Sequence, residues 1–340
     1  MKQKKKALWK IARYTALFLL FFAVLSVSVY AAMIKKGMAE LKKPVSYPER
    51  EDSFDTKEIL WNGDVYEYRE DLITILCLGI DGREKAQENT AIGFGPRADS
   101  IYLFVADLEQ DKVTILNISR DSMAEVRLRD SLGQEKGFFK MQLGTQYAVG
   151  DGLEGSCRLM EEAVSKLLGE IPIHGCCALY WKGLGEAHQV LGPVTVVVSE
   201  ELQKLDSETF PESGEIELTS EQALVYVQGR DIQVSGSNEE RNDRQREYMQ
   251  ALYDVAKEKL KRNPLLGLSL WRAVEEYFVT DLTPSEIQAL ASLIYRMDIE
   301  DLEIRSFPGS YVFGDFQDEL WLDEEEKQKL LTEVFYKKRY

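Results

Sequence analysis

The sequence predicts an α/β protein, a three-layer α/β/α domain around a mixed central sheet, preceded by one N-terminal transmembrane helix. Three observations point there. An uncharged apolar run extends from Tyr14 to Ile34, short apolar runs of strand length lie at 72–78, 101–105 and 113–118, and helical spacing alternates with further strands beyond them. The chain has 340 residues, 44% of them hydrophobic, enough for one large core or two small ones.

Residues 1–13 form a basic tail carrying Lys2, Lys4, Lys5, Lys6, Lys10 and Arg13. The run 14–34 is long enough at helical rise to span a bilayer core. Small residues at Ala31-Ala32 leave a cleaved signal peptide as the alternative. The basic tail stays inside, which places the C-terminal bulk outside the cell membrane, single-pass and extracytoplasmic. Residues 35–70 are polar, contain Pro44 and Pro48, and read as a stalk. The folded domain is expected over 71–340.

Within that domain, Leu72–Leu78 is nearly all apolar, the pattern of a strand buried on both faces. Asp107–Asp111 reads as a hairpin between the next two strands. Residues 153–168 have helical spacing, stopped by Gly169 and Pro172. Strands at Cys176–Tyr180 and Val194–Val198 flank another helix. Thr219 with Gln222, and Thr283-Pro284-Ser285-Glu286, are capping-box helix starts, and 239–262 is a long charged helix.

Composition excludes several classes. Eight of the 42 Lys and Arg residues fall in 1–36, leaving 34 against 58 acidic residues in the remainder, a balance of −24. Such a surface does not bind nucleic acid or other polyanions indiscriminately, so phosphate would need a local arginine cluster. Cys77, Cys157, Cys176 and Cys177 have no zinc spacing and read as structural, with a bridge from Cys157 to Cys176 or Cys177 left open. Only His174 and His188 are present, and both read as ordinary polar residues. Gly150-Asp151-Gly152-Leu153-Glu154-Gly155 fits a dinucleotide fingerprint, but the segment before it is a poor strand. It reads as a turn into a helix.

The residues that could carry chemistry are carboxylates and arginines at strand ends. Asp81 and Arg83 follow the first strand, Arg97 and Asp99 precede the second, and Arg120-Asp121 follows the third. Strand ends at one edge of an α/β sheet form ligand clefts. Paired carboxylates suit Mg²⁺ (or Mn²⁺), and guanidinium forks suit phosphate oxygens. A second group, Arg230 followed by Arg241, Arg244 and Gln245, lies at the start of the long helix with its last three members on one face.

The order G-x-D-x-R at 79–83, R-x-D-S at 97–100, Ser119-Arg120-Asp121, Lys140 before a helix, then Arg230-Asp231 and R-x-x-R-Q at 241–245 resembles the LytR-CpsA-Psr family. The resemblance covers 72–262, with 263–340 similar to the family's C-terminal part through Phe307-Pro308-Gly309. It implies a membrane-anchored phosphotransferase that moves a glycopolymer (teichoic acid, capsule or similar) from a polyprenyl-pyrophosphate carrier to peptidoglycan. It implies that Asp81 and Asp99 hold the metal, and that Arg83, Arg97, Arg230, Arg241, Arg244 and Gln245 bind the pyrophosphate. Arg120 and Asp121 are then the catalytic pair, and a hydrophobic tunnel, lined here by 153–168 and the apolar strands, takes the lipid. Gln228, Ser119 and 141–146 depart from the family pattern. They motivate one alternative, a non-catalytic polyprenyl-phosphate-binding scaffold, and a lipid pyrophosphatase is the other.

Overall fold

A computed structural model describes residues 28–43, 57–82, 84–89, 95–130, 133–229, 237–263, 265–297, 303–314 and 318–339. In chain order the elements are α1 (28–41), β1 (Glu58–Trp61), β2 (Asp64–Tyr68), β3 (Leu72–Ile80), β4 (Ala98–Asp107), β5 (Lys112–Ile118), β6 (Met123–Arg129), β7 (Glu135–Gln142), α2 (Gln146–Val149), α3 (Glu154–Leu167), β8 (Cys176–Tyr180) and α4 (Trp181–Leu191). Then follow β9 (Val194–Val198), α5 (Glu200–Leu205), β10 (Gly214–Leu218), α6 (Ser220–Gln228), α7 (Ser237–Arg262) and α8 (Leu266–Val274). The chain ends with β11 (Phe278–Thr280), α9 (Pro284–Arg296), β12 (Glu303–Ser306), β13 (Gly309–Phe313), β14 (Asp318–Leu322), α10 (Glu324–Phe335) and β15 (Tyr336–Lys338).

The chain divides into two compact units, one of which comprises α1 and α9. A Cβ on Gly37 of α1 would stand 1.9 Å from the Ser285 carbonyl oxygen, so only glycine permits this crossing. The start of α9 is the expected one: Thr283 and Glu286 cap each other's backbone and Pro284 occupies the first turn. Among the described residues no helix is long and apolar enough to cross a membrane. Residues 1–27, which hold most of the expected span 14–34, lie outside them.

The other unit is built on a six-stranded mixed sheet in the order β11-β8-β3-β4-β5-β12. β3, β4 and β5 run antiparallel as a meander, while β8 lies parallel to β3 and β12 parallel to β5. The α/β class and mixed sheet agree with the sequence. The expected stalk does not: α1 continues to residue 41, and β1 and β2 form a hairpin completed by β15 from the far end of the chain. Its turn uses Asn62 and Gly63, both at positive φ, the geometry that Asn-Gly adopts most readily. Its two strands are short and mix charged with apolar residues, which is why 35–70 reads as a linker from composition alone.

Side chains alternate across the sheet. Leu76, Leu78 and Ile80 of β3, Leu103 and Val105 of β4, and Ala178 of β8 join a core with Met160, Ala163 and Val164 of α3. On the opposite face, Cys77, Gly79, Tyr102, Phe104 and Leu179 meet α4, α6 and α7. β9 and β10 pair with one another outside the central sheet and form a second core with Phe210, Tyr226 and Tyr248. All four cysteines are free thiols.

Candidate active site

The antiparallel register brings three strand ends to one edge of the sheet, because Gly79 faces Ser100 and Ile101 faces Ile118. Asp81, Asp99 and Arg120-Asp121 therefore emerge together. The register also shifts: Gly79 pairs with Ser100 but Ile80 pairs with Ala98, so Asp99 is the extra residue of a β-bulge. A bulge turns its side chain out of the regular alternation, a common device beside functional sites.

Asp99 is held by two arginines. Arg120 Nη1 contacts its Oδ1, and Arg241 Nη1 lies 3.7 Å from its Oδ2. Both guanidinium-bearing side chains are largely buried. Arg120 Nε also lies 3.7 Å from Oδ1 of the buried Asp121. Asp121 accepts a 2.9 Å hydrogen bond from the Gln142 amide, which donates at 2.6 Å to the Asp318 carbonyl as well. The segment that departs from the family pattern thus still supplies an amide that fixes Asp121. Gly144 of the same segment fits tightly: a Cβ there would lie 2.6 Å from the Ala98 carbonyl and 3.1 Å from Arg120 Cβ.

Gln245, one turn beyond Arg241, accepts a 2.8 Å hydrogen bond from the Ser100 hydroxyl and donates at 3.0 Å to the Val227 carbonyl. Arg244 does something different. Its Nε donates to the Tyr226 carbonyl at 3.1 Å and its Nη2 to the Gly229 carbonyl, so it ties α7 to the end of α6, and burial lowers its pKa. Arg97 exposes its side chain. Its N–H donates to Asp81 Oδ1 at 2.6 Å and its carbonyl accepts from the Asp81 N–H at 3.0 Å. These two bonds close the neck of the long loop between β3 and β4. Arg83 and Arg230 lie outside the described residues.

An apolar pocket of about 250 Å³ opens beside this cluster. Its floor is the sheet face at Cys77, Gly79, Tyr102 and Phe104, its walls are Trp181 of α4 and Leu252 of α7, and Ser100 and Gln245 stand on its polar side. Gly79 keeps the floor low: a Cβ would meet Ser100 Cβ at 3.1 Å. Residues 153–168 do not line this pocket, since α3 packs on the other face of the sheet. Periodicity marks a helix as amphipathic without saying which side of a two-sided sheet it covers.

Asp81 and Asp99 offer hard oxygen donors. Among the described residues no group of three or more His, Cys, Asp or Glu is gathered for a metal. Carboxylates are the donors that Mg²⁺ takes, one or two of them together with waters and substrate phosphate oxygens. The other motifs are structural. The Asp151 carboxylate accepts the N–H groups of Leu153, Gly155 and Ser156, occupying the α3 terminus where a phosphate would bind in a dinucleotide fold. Burial lowers His174 to about 4, and its Nδ1 accepts from the Thr74 N–H. His188 donates from Nε2 to the Leu218 carbonyl, so its Nδ1 accepts from Tyr248 Oη at 2.8 Å.

The LytR_cpsA_psr family matches residues 28–335, and the chain belongs to that family. Among curated proteins no match is found. Similar solved structures include one of TagT bound to LI-WTA, with 18% identity and a TM-score of 0.58 over 84% of this chain and 94% of that one. TagV of B. subtilis has 21% identity and a TM-score of 0.58, covering 78% of this chain and 96% of its own. A protein of Streptococcus agalactiae has 19% identity and a TM-score of 0.61, covering 78% and 86%. At these identities the likeness is one of fold.

Proposed function

We propose that the protein transfers a glycopolymer from a polyprenyl-pyrophosphate carrier to peptidoglycan, from a position outside the membrane to which residues 14–34 anchor it. One observation carries this reading. An apolar pocket fit for a lipid tail ends at Ser100 and Gln245, one helical turn from the Asp99–Arg120–Arg241 cluster fit for phosphate. Family membership supports it, and so does the similar TagT structure, whose bound LI-WTA is a wall teichoic acid.

In this reading a hydroxyl of the acceptor glycan attacks the phosphorus that bears the polymer. An O–P bond forms, the bond to polyprenyl phosphate breaks, the hydroxyl proton passes to solvent, and the product is a phosphodiester. Arg241, Gln245 and the exposed Arg97 bind the pyrophosphate oxygens, joined by Arg83 and Arg230. Arg120 neutralises charge that builds on oxygen during transfer, usually the largest catalytic contribution in such sites. Asp121, held by Gln142, positions Arg120 rather than removing a proton. Asp81 and Asp99 would hold Mg²⁺ (or Mn²⁺), which supplies further charge neutralisation at the phosphates.

The test is product analysis with labelled lipid-linked polymer, with and without a glycan acceptor. Label moving to the glycan only when Mg²⁺ and acceptor are both present is the expected result. Release of free phosphorylated polymer at the same rate without acceptor would make the protein a lipid pyrophosphatase. Binding without turnover under any condition would make it a scaffold.

A further inference from the structure

A second cavity, of about 370 Å³, lies between the end of β5, the start of α7 and the β13–β14 hairpin, and its lining includes Ser119 and Asn242, the chain neighbours of Arg120 and Arg241. Its volume falls within the roughly 300–1,000 Å³ of small-ligand pockets. Its chemistry differs from that of the lipid pocket. The charged side chains lining it are Asp243 and Arg246, which form an ion pair with one another. Amides come from Asn117 and Asn242, and aromatic rings from Phe307 and Tyr311.

Asn117 is the informative residue. It is 93% buried on the last turn-in of β5, yet among the described residues its side-chain amide makes no hydrogen bond, and it faces the cavity. Its amide opens into the cavity, so that donor and acceptor are left to whatever occupies the cavity. It presents one donor and one acceptor side by side, which suits vicinal hydroxyls or an acetamido group. A charged phosphate would instead want a surplus of donors, and here the single cation is already matched by Asp243.

The surface continues outward in the same chemistry. β13 alternates, so Phe313 lies on the same face as Tyr311, two residues further from the cavity, and it is 75% exposed. Rings spaced along one strand suit successive sugars of a chain better than an isolated small molecule. Asp318, paired with Phe313 across the hairpin, adds negative charge that disfavours a polyanion.

We infer that this cavity and the Tyr311–Phe313 strip bind a neutral glycan, the acceptor strand, and present its hydroxyl to the phosphate site. The inference rests on the transferase reading for its biological sense but is tested by binding alone. Full-length protein is titrated with three probes: a phosphate-free wall-glycan oligosaccharide, a lipid-free phosphorylated polymer, and polyprenyl phosphate. Asn117→Ala and Phe313→Ala should each weaken the neutral oligosaccharide about fivefold or more, the scale of one lost hydrogen bond or ring contact, and leave polyprenyl phosphate binding unchanged. Phe313 is exposed, so its variant keeps the test valid should Asn117→Ala fail to fold. Unchanged oligosaccharide affinity in Phe313→Ala, no oligosaccharide binding by the wild type, or a phosphorylated polymer as the ligand lost in the variants would each overturn it. Oligosaccharide binding without transfer would overturn the reaction and leave this site standing.

Discussion

Two buried arginine clusters stand in the same unit, and they are built to different ends. Arg127 on β6 donates through Nε and Nη2 to the two oxygens of Glu162 at 3.0 and 2.7 Å, and through Nη1 to Glu135 at 2.7 Å. Its guanidinium lies 4.8 Å from the Phe138 ring centre. Burial pulls its pKa down, but the bonds to Glu162 and Glu135 outweigh this and leave it raised. Arg241, equally buried, has its Nη1 3.7 Å from Asp99 Oδ2, beyond hydrogen-bond distance. Its neighbours open on two cavities, while those of Arg127 close a core. Burial of a charge therefore does not distinguish a site from a strut. The adjoining space does.

That contrast makes its largest prediction at the strut. Arg127→Met leaves Glu162 buried without its fork and should cost about 3–5 kcal/mol of stability, read from urea unfolding. Transfer per folded molecule should stay near the wild-type rate. A stable but inactive variant would move Arg127 into the site and break the comparison.

At the site the expected effect is on rate. Arg120→Lys keeps the charge and loses the planar fork, so transfer should slow about a hundredfold, the scale of one lost transition-state donor. Its unfolding midpoint and its affinity for carrier lipid, read by native mass spectrometry, should stay close to wild type. Arg241→Ala should mainly weaken lipid binding. An Arg120→Lys enzyme with the wild-type rate would end the catalytic assignment.

A third buried charge group tests the same distinction through pH. Burial, then the charge of Asp281 and a hydrogen bond with it, push Glu161 up to about 9, and burial raises Asp281 as well. A raised carboxyl stabilises fully below its unfolded value near 4.5, and that stability is lost as pH rises toward 9. Glu161→Gln should therefore flatten the fall in stability between pH 5 and 8 and gain about 2 kcal/mol at the alkaline end. An unchanged pH profile of the unfolding midpoint would mean that Glu161 is ionised in the fold.

Much of the site could be read from the sequence because the chemistry sits at strand ends, and the strands were marked by strong apolar runs. Asp99, Arg120 and Arg241 meet as the motif order implies. What could not be read depends on register and on which face a helix covers. Nothing in Arg97-Ala98-Asp99-Ser100 announces a bulge, which exists only once β3 and β4 are paired. Arg244 and Gln245 look alike in the helical pattern, yet Arg244 spends its donors on the carbonyls ending α6. β7 and the β13–β14 hairpin are largely exposed and carry too little apolar alternation to signal themselves, and they supply Gln142 and Tyr311. The β-hairpin at 58–68 was hidden for the same reason.

Ser100 offers the finest test of the distinction, because it belongs to neither a strut nor the charged cluster. Its hydroxyl donates to Gln245 Oε1, whose Nε2 is bound to the Val227 carbonyl, so Ser100 fixes which way the amide points. Ser100→Ala removes one buried hydrogen bond, leaves Gln245 Oε1 facing the apolar pocket without its donor, and should cost about 1 kcal/mol of stability. If α7 were held at the sheet only for packing, the effect would stop there. In the proposed site the amide also orients toward the pyrophosphate, so carrier-lipid affinity should fall by about twofold to fivefold while the rate at saturating lipid stays the same, the signature of lost ground-state binding. Ser100→Thr keeps the hydroxyl and should restore the affinity. Equal affinity in wild type and Ser100→Ala, with stability reduced, would return Gln245 to the structural class beside Arg127.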